Sequence, residues 1–471
     1  MVLFDYSREP RSDIAFIDIK SFYASVECIE KGLHPLKTSL CVMSRSPQAS
    51  GLILASSPVF KEVFGRKNVG RSYDLPFDIE SRRFSYQNAR KQGLSTEWPF
   101  VSYIESWAKS TLIVPPRMDL YIEKNIEIQK IFQNYAALED IHPYSIDEGF
   151  IDLTSSLDYF VREKGLTRRE KLDLLSSQIQ KEIYQKTGLF ATVGMSNANP
   201  LLAKLALDNE AKTASKMRAN WSYEDVEAKV WSIPKLTDFW GIGSRMEKRL
   251  ESLEIYSIRD LAHADPDMLK KELGVVGLEL FCHAHGIDES NVHNPYSPKE
   301  RGIGNSQILP RDYQRQKDIE LVLMEMAEQV AIRLRRAGKK AGAVSIHVSY
   351  SRKEGKRSLQ AQMKVEPTNV TRELVDHVLA LFRKKYQQGA VRSIAVRYTH
   401  LVDESYTLLS LFEDPEAKMR EGRLERTIDE LRGKFGYTAV LKANALTGAS
   451  RAIERSRLVG GHSAGGLEGL E

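Results

Sequence analysis

No stretch of the 471-residue sequence approaches 18 consecutive apolar residues, the length a helix needs to cross a bilayer. The opening residues, MVLFDYSREPRSD, carry charges where a secretion signal needs an apolar core, so a cytosolic (cytoplasmic) protein without membrane partners is expected. Cysteine is scarce. Cys28, Cys41 and Cys282 show no CxxC spacing, which argues against a disulfide framework and a zinc site and fits a reducing compartment. Internal repeats are not visible, and the last eleven residues, GHSAGGLEGLE, are too poor in apolar side chains to fold alone. Net charge is small as well, at +5. Against these shortages, 42% of residues are hydrophobic and 9% aromatic, enough to bury several cores and to exclude disorder and fibre. The length sets a prior of about three domains at roughly 150 residues each.

The small total hides an uneven distribution. Residues 291–400 hold 21 Lys/Arg against 10 Asp/Glu, a local charge of 21 − 10 = +11, which leaves the other 361 residues at 5 − 11 = −6. The cations cluster in RLRRAGKK (333–340), SRKEGKR (351–357), FRKK (382–385) and VRSIAVR (391–397), with alternating apolar stretches at 343–350 and 393–401 that predict strands and helical spacing over 319–336. A small α+β module with a cationic face, suited to a phosphate backbone, is the expectation. Upstream, the pattern predicts a buried strand at 14–19, a helix to 29, a long amphipathic helix at 118–138, a hairpin within 143–154 turning at Gly149, a helix at 167–187, a strand at 190–196 and a helix at 200–209. This is the βαββαβ order of a ferredoxin-like sheet. Residues 79–107 show no clear period, 233–286 read as short helices, and beyond Asp403 the pattern gives a linker, one helix at 415–435 and a polar end.

Adjacent acidic pairs occur seven times, about what composition gives, so Asp147-Glu148 is notable for its setting rather than as a pair. It is bracketed by β-formers, where carboxylates are normally excluded. Asp18 likewise interrupts the apolar strand IAFI. The expected sheet makes these strands neighbours, so three carboxylates meet at one edge of a buried layer and repel unless a cation joins them. Oxygen-only ligands suit Mg²⁺ or Mn²⁺, and two such ions promote nucleotidyl transfer. A capped or solvent-facing turn is the alternative.

At this point DIKSFYASVE (18–27), SIDEGFIDLT (145–154), TVGMSNANPLLAKLALDNEAK (192–212) and GNSQILPRDY (304–313) resemble, in the same order over roughly residues 13–400, the Y-family translesion DNA polymerases and within them the UmuC-like branch of bacterial SOS mutagenesis polymerases. The resemblance implies an α+β right hand with a ferredoxin-like palm, small fingers, a helical thumb with a helix-hairpin-helix and an α+β little finger. It makes Asp18, Asp147 and Glu148 the catalytic metal ligands, joined by the backbone carbonyl of Ile19, for two Mg²⁺ ions. Tyr23 matches the steric gate that excludes a 2′-hydroxyl. Phe22 beside it is grouped with the substrate-binding positions, although it also reads as a core aromatic. Lys212 matches the triphosphate lysine, while Ser57 and Lys61 stand where the finger segment touches phosphates, in a less faithful match. Lys204 reads as a structural or DNA-backbone lysine, and about 30 residues near 78–110 exceed the minimal pattern.

The Gly241-Ile242-Gly243 turn with basic residues after it resembles the thumb hairpin, where glycines let backbone approach phosphate. The Cys282-His283-Ala284-His285 run reads as structural. Arg333, Arg335, Arg336, Lys339, Lys340, Arg352 and Arg357 are the expected DNA contacts of the little finger. YTLLSLFED (406–414) resembles a bacterial sliding-clamp motif through Leu409, Leu411 and Phe412, with a little-finger strand as the alternative. The boundaries expected are 11–30 and 111–235 for the palm, 31–110 for fingers with insertion, 236–295 for the thumb, 296–402 for the little finger and 403–471 for a tail. Primer-template DNA, dNTPs, the sliding clamp and SOS accessory proteins are the implied partners. The activity implied is error-prone translesion synthesis. Two other classes fit fewer residues: a non-catalytic DNA- or clamp-binding protein that displaces other polymerases at stalled forks, and a palm-type nucleotide cyclase, which needs neither the helical hairpin nor the basic module.

Overall fold

The computed structural model describes residues 4–46, 49–64, 70–294, 302–405, 415–459 and 462–463. The chain forms two compact units, one of residues 1–43 with 52–296 and the other of 44–51 with 297–471. The first begins with β1 (Ile14–Ile19), α1 (Phe22–Glu30), β2 (Leu40–Ser46), β3 (Ala49–Ser56), α2 (Pro58–Glu62), α3 (Tyr86–Lys91), α4 (Trp98–Ser110), β4 (Leu112–Val114) and α5 (Met118–Phe132). There follow β5 (Ile141–Pro143), β6 (Glu148–Asp152), α6 (Leu157–Phe160), α7 (Arg168–Thr187), β7 (Ala191–Ser196), α8 (Pro200–Ala206) and β8 (Arg218–Asn220). Four short helices close it, α9 (Ser244–Glu251), α10 (Ile258–His263), α11 (Pro266–Leu273) and α12 (Val275–Ala284).

The main sheet has the order β5–β6–β1–β7–β8. Its first four strands reproduce the expected ferredoxin-like arrangement, with β1 central and antiparallel to β6 and β7. Every residue of β1 except Asp18 is buried, because helices on one face and the core on the other leave a central strand no wet side. Helix α7 starts one residue after the predicted position because Thr167 and Glu170 form a capping box, and it stops at Gly188, whose φ of 71° only glycine adopts without cost. The predicted turn at Gly149 is corrected. Gly149 lies inside β6 opposite Pro143, and the reversal occupies residues 144–147. The stretch 79–107, unreadable by period, contains α3 and most of α4, whose Ile104 and Trp107 pack with Phe60, Phe77 and Met43 around the β3–β2–β4 sheet. Cys28 and Cys41 are fully buried, and burial, helped by Glu27, pushes the Cys28 thiol up to about 11.

The second unit runs β9 (Ile303–Tyr313), α13 (Gln316–Arg336), β10 (Lys339–Tyr350), β11 (Leu359–Thr368), α14 (Thr371–Lys385) and β12 (Val391–Asp403), with sheet order β11–β10–β12–β9. The same βαββαβ string thus closes into a different sheet. Both helices cover one face, around Phe382, Tyr398 and Val330. The other face is left to Ser345, His347, Gln360, Gln362 and Arg397.

Helix α15 (Pro415–Phe435) has the predicted bounds, but it is not a free tail. Arg335 of α13 donates to Asp429 at 2.7 and 3.1 Å and to Glu425 at 3.0 Å, while Arg432 and Lys442 hold Glu328, each at 2.9 Å, and Arg455 reaches Glu325 at 3.4 Å. The Tyr313 hydroxyl donates to the Ala449 carbonyl at 3.0 Å. Buried charges of this kind are retained only when paired, so these ion pairs anchor the 415–459 segment on this unit.

One contact fixes α8 against the main sheet. A Cβ on Gly194 would lie 2.1 Å from the Ala203 carbonyl oxygen and 2.5 Å from the Leu207 nitrogen, both backbone atoms. Gly194→Ala is therefore expected to lower unfolding free energy by about 3 kcal/mol, read from urea melts, because strand and helix must part.

Candidate active site

The register of the central pair places Asp18 opposite Glu148, and the Ile19 amide donates to the Asp147 carbonyl at 2.9 Å. All three expected carboxylates therefore meet at one end of the sheet. Ser21 makes this possible. It takes up left-handed geometry (φ 51°, ψ 47°) between β1 and α1, a conformation that costs a non-glycine residue energy and that reverses the chain within two residues of Ile19.

Burial raises the Asp18 carboxyl to about 7, with Asp147 and Glu148 adding to the rise and Lys212 opposing it. Asp147 is also raised, first by burial and then by Glu148, against hydrogen bonding from the Ser145 hydroxyl at 2.8 Å. Such shifts record anionic charge that the protein alone leaves undercompensated. Among the described residues, no three His, Cys, Asp or Glu side chains already stand as a set that could hold a metal ion. The reason is visible in the partners: Asp147 is turned to Ser145, and Glu148 Oε1 lies 3.1 Å from Lys204 Nζ. In chemistry the donors fit a hard divalent cation, being oxygen only and anionic.

Of the two readings of Lys204, structural or DNA-backbone, its position fits the structural one. It is buried, with its ammonium 4.5 Å from the Phe16 ring centroid, and contacts the carboxylate end directly. Lys212 is raised overall. Burial pulls it down, but Asp18 and Asp208 outweigh that, and its Nζ is 2.8 Å from Asp208 Oδ1. Lys61 belongs to the same electrostatic neighbourhood, lowered by burial against the attraction of Asp18 and with Lys212 and Lys20 adding to the drop. Ser57 does not serve as expected. It is wholly buried, caps α2 by accepting from the Phe60 amide and bonds the Leu40 amide at 3.0 Å. Phe22 is also a core residue, 2% exposed.

Tyr23 is half-buried and stacks on Tyr121, ring centroids 4.3 Å apart and planes at 14°. Burial, with Asp147 adding, raises its phenol. Tyr121 is itself fixed. Its hydroxyl donates to Glu27 at 2.8 Å, and Arg117 holds Glu27 with two bonds of 2.9 and 2.8 Å. Sequence reading missed Tyr121, Glu27 and Arg117. Glu27 left a signal, since it is a carboxylate on the inward face of an apolar helix between Val26 and Cys28.

Gly241 has φ of 95° and Gly243 is the N-cap of α9, which places the expected hairpin turn, with Ile242 buried beneath it. His285 Nε2–H donates to the Ala262 carbonyl at 2.9 Å inside this helical unit, as a structural residue does. In the second unit, Arg333, Arg336, Arg352 and Arg357 are exposed, although Arg333 also bonds the Gly304 carbonyl at 2.9 Å. Arg335 is consumed by Glu425 and Asp429, Lys340 is buried, and Lys339 pairs with Asp403. Arg335 and Lys340 therefore cannot meet a polyanion from outside. Arg397, of the cationic run 391–397, and Lys364, which sequence reading did not single out, also lie on strands of this unit's sheet. Leu409, Leu411 and Phe412 lie outside the described residues. No described helix is long and apolar enough to cross a membrane.

Comparison with known proteins adds the lineage. The chain matches the impB/mucB/samB family over residues 84–208, the HHH motif of the same family over 223–255 and its C-terminal domain over 300–411. It is 35% identical to the UV-damage repair protein UvrX of Bacillus subtilis across 98% of this chain and 100% of that one. It is 31% identical to DNA polymerase IV 2 of the same organism across 95% and 98%. A solved Y-family DNA polymerase chimera of Dbh and Dpo4 shares its fold, with a TM-score of 0.58 at 21% identity over 83% of this chain and 99% of the other. A chain that runs nearly end to end with such relatives at these identities belongs to their family, the Y-family translesion DNA polymerases.

Proposed function

We propose that this polymerase extends primers across damaged template by two-metal nucleotidyl transfer, with low fidelity, and that Asp18, Asp147 and Glu148, with the Ile19 carbonyl, hold the two Mg²⁺ or Mn²⁺ ions. The observation that carries this reading is the meeting of three carboxylates at one sheet end, with Asp18 raised to about 7 by burial and by its neighbours. Bound there, divalent ions would supply activation of the primer 3′-hydroxyl and neutralise the departing pyrophosphate. The chain's own residues do the rest. Lys212 and Lys61 gather triphosphate charge. Tyr23, braced by Tyr121, occupies the space a 2′-hydroxyl needs. The hairpin at Gly241 and Gly243 and the exposed arginines of the second unit grip the DNA backbone without reading bases, so pairing alone selects the base.

In this reading residues 11–30 and 111–235 are the palm, 31–110 the fingers, 236–295 the thumb and 296–402 the little finger, with α15 strapped to the little finger. Docking on a sliding clamp through Leu409, Leu411 and Phe412, and on SOS accessory proteins, completes the proposal.

Four outcomes are expected. Asp147→Ala combined with Glu148→Ala should depress single-nucleotide extension on a primer-template by roughly 10³-fold or more while DNA affinity changes little; retained extension would remove the carboxylates from the chemistry. Tyr121→Leu, which takes away the ring under Tyr23, should weaken discrimination against ribonucleotides by about tenfold, measured as the ratio of kcat/KM for dNTP and NTP. Replacing Arg336, Arg352 and Arg357 by Ala together should reduce the salt dependence of DNA binding by roughly two to three ions in anisotropy titrations. Arg335→Ala should instead cost about 3 kcal/mol of stability, since it strands Glu425 and Asp429.

A further inference from the structure

Four charges of alternating sign run from the carboxylate end toward the triphosphate lysine. Lys204 Nζ is 3.1 Å from Glu148 Oε1 and 3.3 Å from Asp208 Oδ2, and Asp208 Oδ1 is 2.8 Å from Lys212 Nζ. Lys204 is only 8% exposed in its side chain and lies over Phe16 and Tyr144, at 4.5 and 5.8 Å from the ring centroids. It has no route to a DNA phosphate. The spacing of 204, 208 and 212 keeps all three on one side of α8 and of the π-helical turn that follows it, Leu207–Ala211. One carboxylate, Asp208, thus serves two lysines, and one lysine, Lys204, serves two carboxylates, of which Glu148 is a metal-holding residue in the reading above.

On that reading, we propose that Lys204 and Asp208 are positioning residues forming an internal relay that couples cation binding at Glu148 to the release of Lys212 for the incoming triphosphate. In the relay's resting state Lys204 supplies the positive charge that Glu148 needs, and Asp208 holds Lys212 in place. When Glu148 is neutralised by a bound divalent ion, like-charge repulsion moves the Lys204 ammonium toward Asp208. Asp208 then has less to offer Lys212, which turns to phosphate oxygens. Coupling of this kind is reciprocal. It also predicts opposite effects for the two residues, which a merely structural role does not. Without Lys204 the carboxylates are more negative and attract a cation more strongly. Without the Asp208 charge, Lys204 falls wholly to Glu148 and competes harder.

The test is Mn²⁺ binding to the full chain, free of DNA and nucleotide, followed by electron paramagnetic resonance. Lys204→Met is expected to bind Mn²⁺ about threefold tighter or more, and Asp208→Asn weaker by a similar factor, as expected for adding or removing one unit charge near the site. Lys204→Arg should stay near the parent chain, and the Lys204→Met, Asp208→Asn double variant should follow Lys204→Met. Lys204→Gln replaces Lys204→Met if the latter melts differently from the parent. Unchanged or weaker Mn²⁺ binding in a cooperatively folded Lys204 variant, or shifts of the same sign for Lys204 and Asp208, would overturn the relay. Asp18→Asn with Glu148→Gln separates the two ideas. If it abolishes Mn²⁺ binding while the Lys204 and Asp208 variants do nothing, the metal assignment stands and the relay falls; if Mn²⁺ binds regardless, the metal assignment falls with it.

Discussion

Carboxylates gathered at the end of a buried strand repel one another, and in a layer with little water that repulsion is not screened. Much of the larger unit is arranged around this fact. Pairing of β1 with β6 brings Asp18 beside Asp147 and Glu148, and the left-handed Ser21 turns the chain into α1 directly after. Positive charge arrives from α8 and the turn after it, carried by Lys204 and Lys212. The close approach of α8 that puts Lys204 there depends in turn on the absence of a side chain at Gly194. Electrostatics at the strand end and steric contact in the middle of the sheet are one constraint seen at two places.

The aromatic wall of the site follows a different logic. On the proposed reading, Tyr23 discriminates against a hydroxyl group only while its ring stays put, and a half-exposed ring on the first turn of a helix has little to hold it. Stacking on Tyr121 supplies the restraint, and the Glu27 and Arg117 pair behind it fixes Tyr121 by hydrogen bonds that burial makes costly to break. Three residues of ordinary sequence appearance thereby set the stiffness of one.

The main sheet was legible because β1 and β7 are apolar runs, β1 with one misplaced acid, and because α7 has a clear start and stop. The finger segment was not. Exposed Trp98 and Tyr103 interrupt the apolar period of α4, so only the folded chain shows that Ile104 and Trp107 share an inner face. Ser57 misled because a serine at a phosphate-facing position and a serine capping a helix look identical in sequence. Arg335 misled in the same way, since a charge run ordinarily faces water, whereas here Glu425 and Asp429 of α15 take up its guanidinium. The order of strands in the second sheet lies beyond any periodicity, because the βαββαβ string is common to both sheets and only side-chain packing selects between closures. Of the candidate site, Asp18, Asp147 and Glu148 stood out by their setting among β-formers, whereas Tyr23 and Lys212 were marked only by the family resemblance. Tyr121 and Asp208 act through neighbours and were marked by neither, although Asp208 stands four residues from a lysine on either side.

The burial of Cys28 has a chemical corollary. Oxidants attack the thiolate, and a thiol pushed up to about 11 inside α1 carries almost none at neutral pH. Cys41 is equally enclosed, and Cys282, partly exposed, is raised by burial too. A protein that shares its family with a UV-damage repair protein thus keeps two of its three thiols enclosed in apolar cores and protonated, where an oxidant finds little thiolate to attack.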